Sequence, residues 1–202
     1  MSWEEVYEQW KNDANLEENL KKQLADLEDD PEKLEDAFYA PLEFGTAGMR
    51  GILGAGINRM NIYTVRQATE GLARFMEEQD PETRRRGVAI AYDSRHFSPE
   101  FAMEAAKTLA KHDIPSFVFE SLRPTPELSF AVRYLKTFTG IMITASHNPA
   151  AYNGYKVYGE DGGQMPPADA DALTRYVRSI ENPLKIEVLT EEEVKHSGLL
   201  HI

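Results

Sequence analysis

The chain has 202 residues, no cysteine and a formal net charge of −12 at pH 7. That length suits one sizeable domain with a full core; the missing thiols exclude a disulfide framework and thiolate metal sites. The acidity argues against a nucleic-acid partner, because neutralising phosphates needs clustered Lys and Arg. No apolar run approaches a membrane span, and Met1-Ser2-Trp3-Glu4-Glu5 is the reverse of a basic signal-peptide start, so a cytoplasmic chain with no membrane partner is expected.

The charge is uneven. Residues 1–36 carry 13 Asp and Glu against 4 Lys, whereas the remaining 166 carry 21 acids against 18 bases, so most of the chain is nearly neutral. Within the acidic segment Trp3, Val6, Tyr7 and Trp10 fall at helical spacing, as do Leu16, Leu20, Leu24 and Leu27. Asn15 is positioned to cap the second helix, and Asp30-Pro31 to start a third. Residues 1–39 therefore read as a helical extension that packs its apolar stripe onto the domain at 40–182. An independent interaction module is the alternative.

Leu42 to Gly51 brings three glycines within seven residues and one arginine, Arg50, whose planar fork suits two phosphate oxygens. Asn61 is expected to cap a helix to about Glu78 with Ile62, Val65, Leu72, Phe75 and Met76 on its buried stripe. Arg84-Arg85-Arg86 reads as a solvated turn. Val88 to Tyr92 is a continuous apolar run ending in Asp93-Ser94-Arg95, as a buried strand would. Ser98-Pro99-Glu100 supplies a helix start running to about His112, and His96 and His112 are expected at the surface.

Further strands are expected at Ser116–Glu120 and Ile141–Ile143, and also at 44–52 and 155–158. Helices follow from a Thr125 cap and from Pro167 to Ser179. Strand, helix, strand, helix, strand describes an α/β fold: a three-layer α/β/α sandwich around a mostly parallel mixed sheet, with Val88–Tyr92, Phe117–Phe119 and Ile141–Ile143 as central strands. Residues 183–202 read as a linker or the start of a second domain, with a strand at Ile186–Leu189 and a helix from Thr190.

The chemistry concentrates after Ile143. Thr144 to Gly154 is small, polar and turn-forming, with Asn148-Pro149 and Asn153-Gly154 as turn signals. It holds one serine, Ser146, at the end of a buried strand, with Lys156 on the next. A hydrolase serine needs an oriented base. His147 is a poor one, since neighbours in an extended segment point apart, and Thr144 and Asn148 occupy the glycine positions of a nucleophile elbow.

Thr144-Ala145-Ser146-His147-Asn148-Pro149, followed by Asn153-Gly154-Tyr155-Lys156-Val157, resembles the phosphoserine loop of the α-D-phosphohexomutases. Phe44-Gly45-Thr46-Ala47-Gly48-Met49-Arg50-Gly51 resembles the N-terminal active-site motif of the same family. Its place after a long helical lead resembles the phosphoglucomutase and phosphopentomutase branch.

The resemblance implies that Ser146 carries a phosphoryl group passed to and from a hexose phosphate, interconverting glucose 1-phosphate and glucose 6-phosphate with glucose 1,6-bisphosphate as intermediate and activator. It implies that Arg50, Thr46 and Lys156 bind phosphate, that Lys156 shuttles the proton with His147 as the weaker candidate, and that Mg2+ meets the phosphate on Ser146. The family's Asp-x-Asp-x-Asp-Arg metal loop is not matched by Asp169-Ala170-Asp171, where Leu173 stands for the third acid. The remaining ligands and the sugar-selecting loops are expected from C-terminal domains outside this chain, which alone should be inactive. Mannose, pentose and glucosamine phosphates remain alternative substrates. Two other classes stay open: a non-catalytic phosphate-binding module and a serine hydrolase.

Overall fold

Capping chemistry starts the helices of the computed structural model, which describes residues 1–45 and 48–202. Ser2 and Glu5 form a reciprocal capping box before α1 (Trp3–Lys11), and Asp30 accepts from the Lys33 amide before α3 (Pro31–Phe38). Between them, α2 (Glu18–Leu27) begins at Glu17 without a side-chain cap. Asn15, expected as that cap, lies in a turn pinned from outside. Its carbonyl accepts from the Tyr63 hydroxyl, which in turn accepts from the Glu17 amide.

Tyr7, Trp10, Leu16, Leu20, Leu24 and Phe38 share one core with Ala55 and Tyr63. Trp10 lies edge-on to Phe38 and Tyr63, at centroid distances of 5.7 and 5.4 Å. The acidic face is left to solvent while the apolar stripe is buried, the division that helical spacing anticipates.

The strands β1 (Phe44–Gly45), β2 (Gly48–Ile52), β3 (Val88–Tyr92), β4 (Ser116–Val118), β5 (Thr139–Ile143), β6 (Tyr152–Tyr158) and β7 (Leu200–His201) form one sheet. Their order is β1-β2-β6-β5-β3-β4-β7. The block β5-β3-β4-β7 is parallel, whereas β6 runs antiparallel to both β5 and β2, and β1 antiparallel to β2.

Alternation along the strands explains the layers. Val88, Ile90, Ile141, Ile143, Tyr155 and Val157 face a large core made with α4 (Ile62–Glu77), α6 (Ser98–Lys111) and α8 (Pro167–Arg178). Ala89, Ala91, Met142 and Tyr158 face α7 (Thr125–Leu135) on the other side. The result is a three-layer α/β/α sandwich around a mixed sheet, with the N-terminal helices added to it. Among the described residues no helix is long and apolar enough to cross a membrane.

The local departures from expectation have identifiable causes. Asp80 accepts from the Glu82 and Thr83 amides and Pro81 fills the first turn, so Arg84 to Arg86 end a short helix, α5 (Pro81–Arg86), and do not form a bare turn. Ser98 and Thr125 sit one residue inside their helices, after Phe97 and Pro124; the Ser98 hydroxyl donates to Asp93 instead. Strand β4 stops at Val118 and lies next to the edge of the sheet, because its outer side is taken by β7. That edge strand is Leu200–His201; Ile186 to Leu189 forms no strand, and the helix after Thr190 is α9 (Glu191–His196).

Asn153-Gly154, expected as a turn, lies within β6. A Cβ on Gly154 would stand 2.6 Å from the Thr144 carbonyl oxygen, so glycine here serves close strand approach. His112, expected at the surface, is half-buried, with Nε2 2.7 Å from Glu70 and Nδ1 2.9 Å from Glu77.

Two substitutions test this packing. A Cβ on Gly71, inside α4, would fall 2.5 Å from Val177 Cγ2 and 2.8 Å from the Val177 backbone. Alanine is favoured over glycine in helices by about 1 kcal/mol, but overpacking costs about 1–3 kcal/mol. Gly71→Ala should therefore be destabilising by about 1 kcal/mol, read as a lower urea midpoint at unchanged m-value; a raised midpoint would show that α4 and α8 separate freely.

For His112, the hydrogen bond to Glu70 raises the pKa above 6.5, burial opposes the rise, and Glu77 adds to it. A pKa raised by folding gives stability that is complete below the unfolded value and is lost as pH rises through the folded one. His112→Gln should therefore lower stability more at pH about 5.5 than at about 9, and equal losses at both would refute the charged clamp.

Candidate active site

β5 carries its chain from full burial at Ile143 through buried Thr144 and Ala145 to exposed Ser146. The parallel pairing of β3 and β5 sets Tyr92 opposite Ile143, so Asp93 arrives beside Thr144. The Thr144 hydroxyl donates to Asp93 Oδ2 at 2.6 Å and accepts from the Ser146 amide at 2.9 Å. Ser146 itself has φ +54°, in the left-handed region. For a residue with a side chain this costs on the order of 1–2 kcal/mol, so surrounding bonds must impose it.

Strand alternation delivers the cations. Tyr155 and Val157 enter the large core, so Lys156 emerges on the opposite face of β6. On β2, Met49 is buried in the same core and Arg50 is exposed on the other side. Gly48 pairs with Lys156 and Arg50 with Gly154. Gly48 has φ +117°, and a Cβ there would lie 1.9 Å from the Tyr155 carbonyl oxygen, so only glycine lets β2 enter this register.

Lys156 Nζ donates to Ser146 Oγ at 2.7 Å. Arg50 Nη1 donates to Asn148 Oδ1 at 2.9 Å, two residues beyond the serine. Burial holds the Lys156 ammonium below the ordinary lysine value, the Arg50 charge lowers it further, and Asp93 acts in the opposite direction. A lysine with lowered pKa against a hydroxyl is equipped to accept or return that hydroxyl's proton.

Ser146 and Lys156, ten residues apart, thus meet Arg50, from far earlier in the chain, around one loop. His147 is exposed and makes no hydrogen bond to another described residue, so the serine's partner is the lysine ten positions on. Thr46 lies outside the described residues. Asp169, in the first turn of α8, and Asp171, just beyond that turn, are both exposed. Among the described residues no group of three or more His, Asp or Glu side chains could hold a metal ion.

Thr144 and Asn148 were legible as members of the Ser146 motif, but their partners Asp93 and Arg50, and the reach of Arg95, were not. The Arg95 guanidinium donates to the carbonyls of Ser146, Asn148, Pro149 and Tyr152. In the sequence Asp93 and Arg95 resemble a family element near the active-site loop and read as supporting structure; which carbonyls the guanidinium binds is visible only in the fold.

Residues 41–184 match the family described as phosphoglucomutase/phosphomannomutase, alpha/beta/alpha domain I. The chain is 44% identical over 181 residues to the phosphoglucomutase of Staphylococcus aureus strain USA300, covering 90% of this chain and 32% of that protein. The bovine strain RF122 phosphoglucomutase is 46% identical over 153 residues, covering 76% and 27%. The chain thus spans about a third of the length of these curated relatives.

Among solved structures, a Thermus thermophilus protein provisionally named a phosphomannomutase superposes with TM-score 0.61 at 34% identity, over 68% of this chain and 30% of that one. The Paramecium phosphoglucomutase parafusin, at TM-score 0.58 and 20% identity over 77% and 28%, shares the fold.

Fold and site define an α/β/α domain that presents one serine hydroxyl to a lysine at the end of a central strand, with an arginine bound to the same loop. The chain belongs to the phosphoglucomutase/phosphomannomutase family, the α-D-phosphohexomutases, and is a first domain of that family.

The electrostatic coupling is directly measurable. In a 13C or 15N titration of Lys156, Arg50→Gln should move the ammonium upward toward the ordinary value, because one lowering charge is removed. No movement would show that the two cations do not sense each other.

Proposed function

We propose that this domain carries the phosphoryl group of a phosphoglucomutase on Ser146, interconverting glucose 1-phosphate and glucose 6-phosphate through a glucose 1,6-bisphosphate intermediate that also serves as activator. The observation that supports the reading best is the 2.7 Å contact between Lys156 Nζ and Ser146 Oγ, in a chain 44% identical to a phosphoglucomutase. The name phosphoglucomutase carried by those relatives supports glucose phosphates as the substrates of this reading.

In the donating step the bond from Ser146 Oγ to phosphorus breaks and a new bond forms to a hydroxyl oxygen of the hexose phosphate. That hydroxyl's proton ends on Ser146 Oγ, with Lys156 as carrier. In the return step Ser146 Oγ attacks the phosphorus at the other end of the bisphosphate, and its proton passes through Lys156 to the departing sugar oxygen. Phosphoryl transfer depends mainly on positioning and charge neutralisation. Arg50 and Lys156 supply the positive charge here, with Thr46 as a further phosphate contact and His147 as a lesser candidate for orienting the sugar. A magnesium ion on the phosphate would add neutralising charge, its other ligands coming from the part of the longer relatives that this chain does not span. The same part would select the sugar, and the setting would be the cytoplasm.

Incubating the complete protein with glucose 1,6-bisphosphate should add one phosphate, mapped by peptide mass to Ser146. Ser146→Ala should abolish mutase turnover in a coupled glucose 6-phosphate assay. Lys156→Ala should lower kcat by about 10²–10⁴-fold, the range for loss of a positioned proton carrier. Wild-type turnover in Ser146→Ala would rule out the nucleophile. Faster turnover on mannose 1-phosphate would move the assignment to the phosphomannomutase branch. Labelling of Ser146 by a fluorophosphonate with no mutase activity would favour a hydrolase.

A further inference from the structure

Four backbone carbonyls of one short loop converge on a single side chain. Arg95 Nη2 lies 2.8 Å from the Ser146 oxygen and 2.6 Å from that of Asn148, while Nη1 lies 2.9 Å from Pro149 and 3.0 Å from Tyr152. The guanidinium is nearly enclosed, with 13% of the side chain exposed, and its Nε stands 3.6 Å from Asp93 Oδ2. Asp93 Oδ1 also accepts the Arg95 amide at 3.0 Å, which fixes the base of the arginine.

Both peptide groups flanking Ser146 lead back to this pair. The Ser146 amide donates to Thr144 Oγ1, whose hydroxyl donates to Asp93. The Ser146 carbonyl accepts from Arg95. A left-handed conformation that a serine does not favour on its own is thus clamped on both sides of its Cα. Arg95 makes no hydrogen bond to Ser146 Oγ or to Lys156 Nζ, and its direct hydrogen bonds to this loop are all to the backbone.

We propose that Arg95 is a positioning residue for phosphoryl transfer: by binding the carbonyls of Ser146, Asn148, Pro149 and Tyr152 it holds Ser146 in its left-handed conformation, with Oγ aimed at Lys156. The inference rests on the reading of Ser146 as the phosphoryl carrier. A flat guanidinium has five N–H donors in a rigid plane and serves several carbonyls at once. An ammonium at this position has three donors on a flexible stem and leaves at least one carbonyl unmet.

The test compares Arg95→Lys and Arg95→Ala with wild type in the complete protein, assayed below the melting temperature of each. Misplacement of the serine by about 1 Å should lower kcat by about 100-fold in Arg95→Ala, with KM within about threefold, and less in Arg95→Lys. In the same variants the NMR titration of Lys156 should move up toward that of an ordinary lysine, because the loop no longer shields it.

Turnover within about threefold of wild type in folded Arg95→Lys and Arg95→Ala would overturn the proposal. So would a loss that tracks only the fraction unfolded, with the Lys156 titration unmoved. If Arg95→Ala fails to fold, Arg95→Lys carries both readouts. If wild type takes no phosphate at Ser146, the functional reading falls and the catalytic part of this inference with it. The Lys156 titration then still decides, separately, whether Arg95 holds the loop.

Discussion

The carboxyl edge of the sheet depends on one carboxylate. Asp93 accepts from the Thr144 hydroxyl, the Ser98 hydroxyl and the Arg95 amide, joining the end of β5, the first turn of α6 and the loop between. It does so from the end of β3, where parallel pairing with β5 leaves no freedom in where it arrives. Carboxylate oxygens hold several donors at once and gain strength where water is partly excluded. A neutral side chain of the same shape would meet fewer of these bonds and leave the Arg95 cation without its neighbour.

The serine, lysine and arginine owe their convergence to the antiparallel part of the sheet. In a purely parallel sheet the strand after Ser146 would return only through a crossover helix. Here β6 folds straight back along β5, and β2 then adds to β6 so that Arg50 and Lys156 share the face opposite the large core. Like charges brought together in this way repel, and that repulsion adds to burial in lowering the lysine pKa. The acidic helices lie elsewhere in the fold, in a core built on Trp10, Phe38 and Tyr63, so their charge stays with solvent.

The elements with strong local signals were legible: the apolar runs at Val88 and Ile141, the Asn61 cap and the leucine stripe at Leu16 to Leu24 all lie where spacing places them. What failed were choices that a distant partner decides. Ser98 looks like a cap until Asp93 claims its hydroxyl. Asn153-Gly154 looks like a turn until its glycine is needed for strands to approach, and the Asn153 amide reaches the His96 carbonyl and Ser98. His112 looks like a surface residue because neither Glu70 nor Glu77 is near it in sequence. At the site, Ser146, Lys156 and Arg50 stood out only as parts of two long motifs. The carbonyls that Arg95 binds carry no side-chain signature at all.

The β5–β6 hairpin also has an entropic side. Ser146 and Lys156 are ten residues apart and close over one tight connection, whereas Arg50 and Asn148 meet across 98. By the logarithmic cost of loop closure the second contact demands about 2 kcal/mol more chain entropy. The serine–lysine contact is therefore the cheaper of the two to close, and the arginine contact relies on the rest of the sheet to bring its ends together.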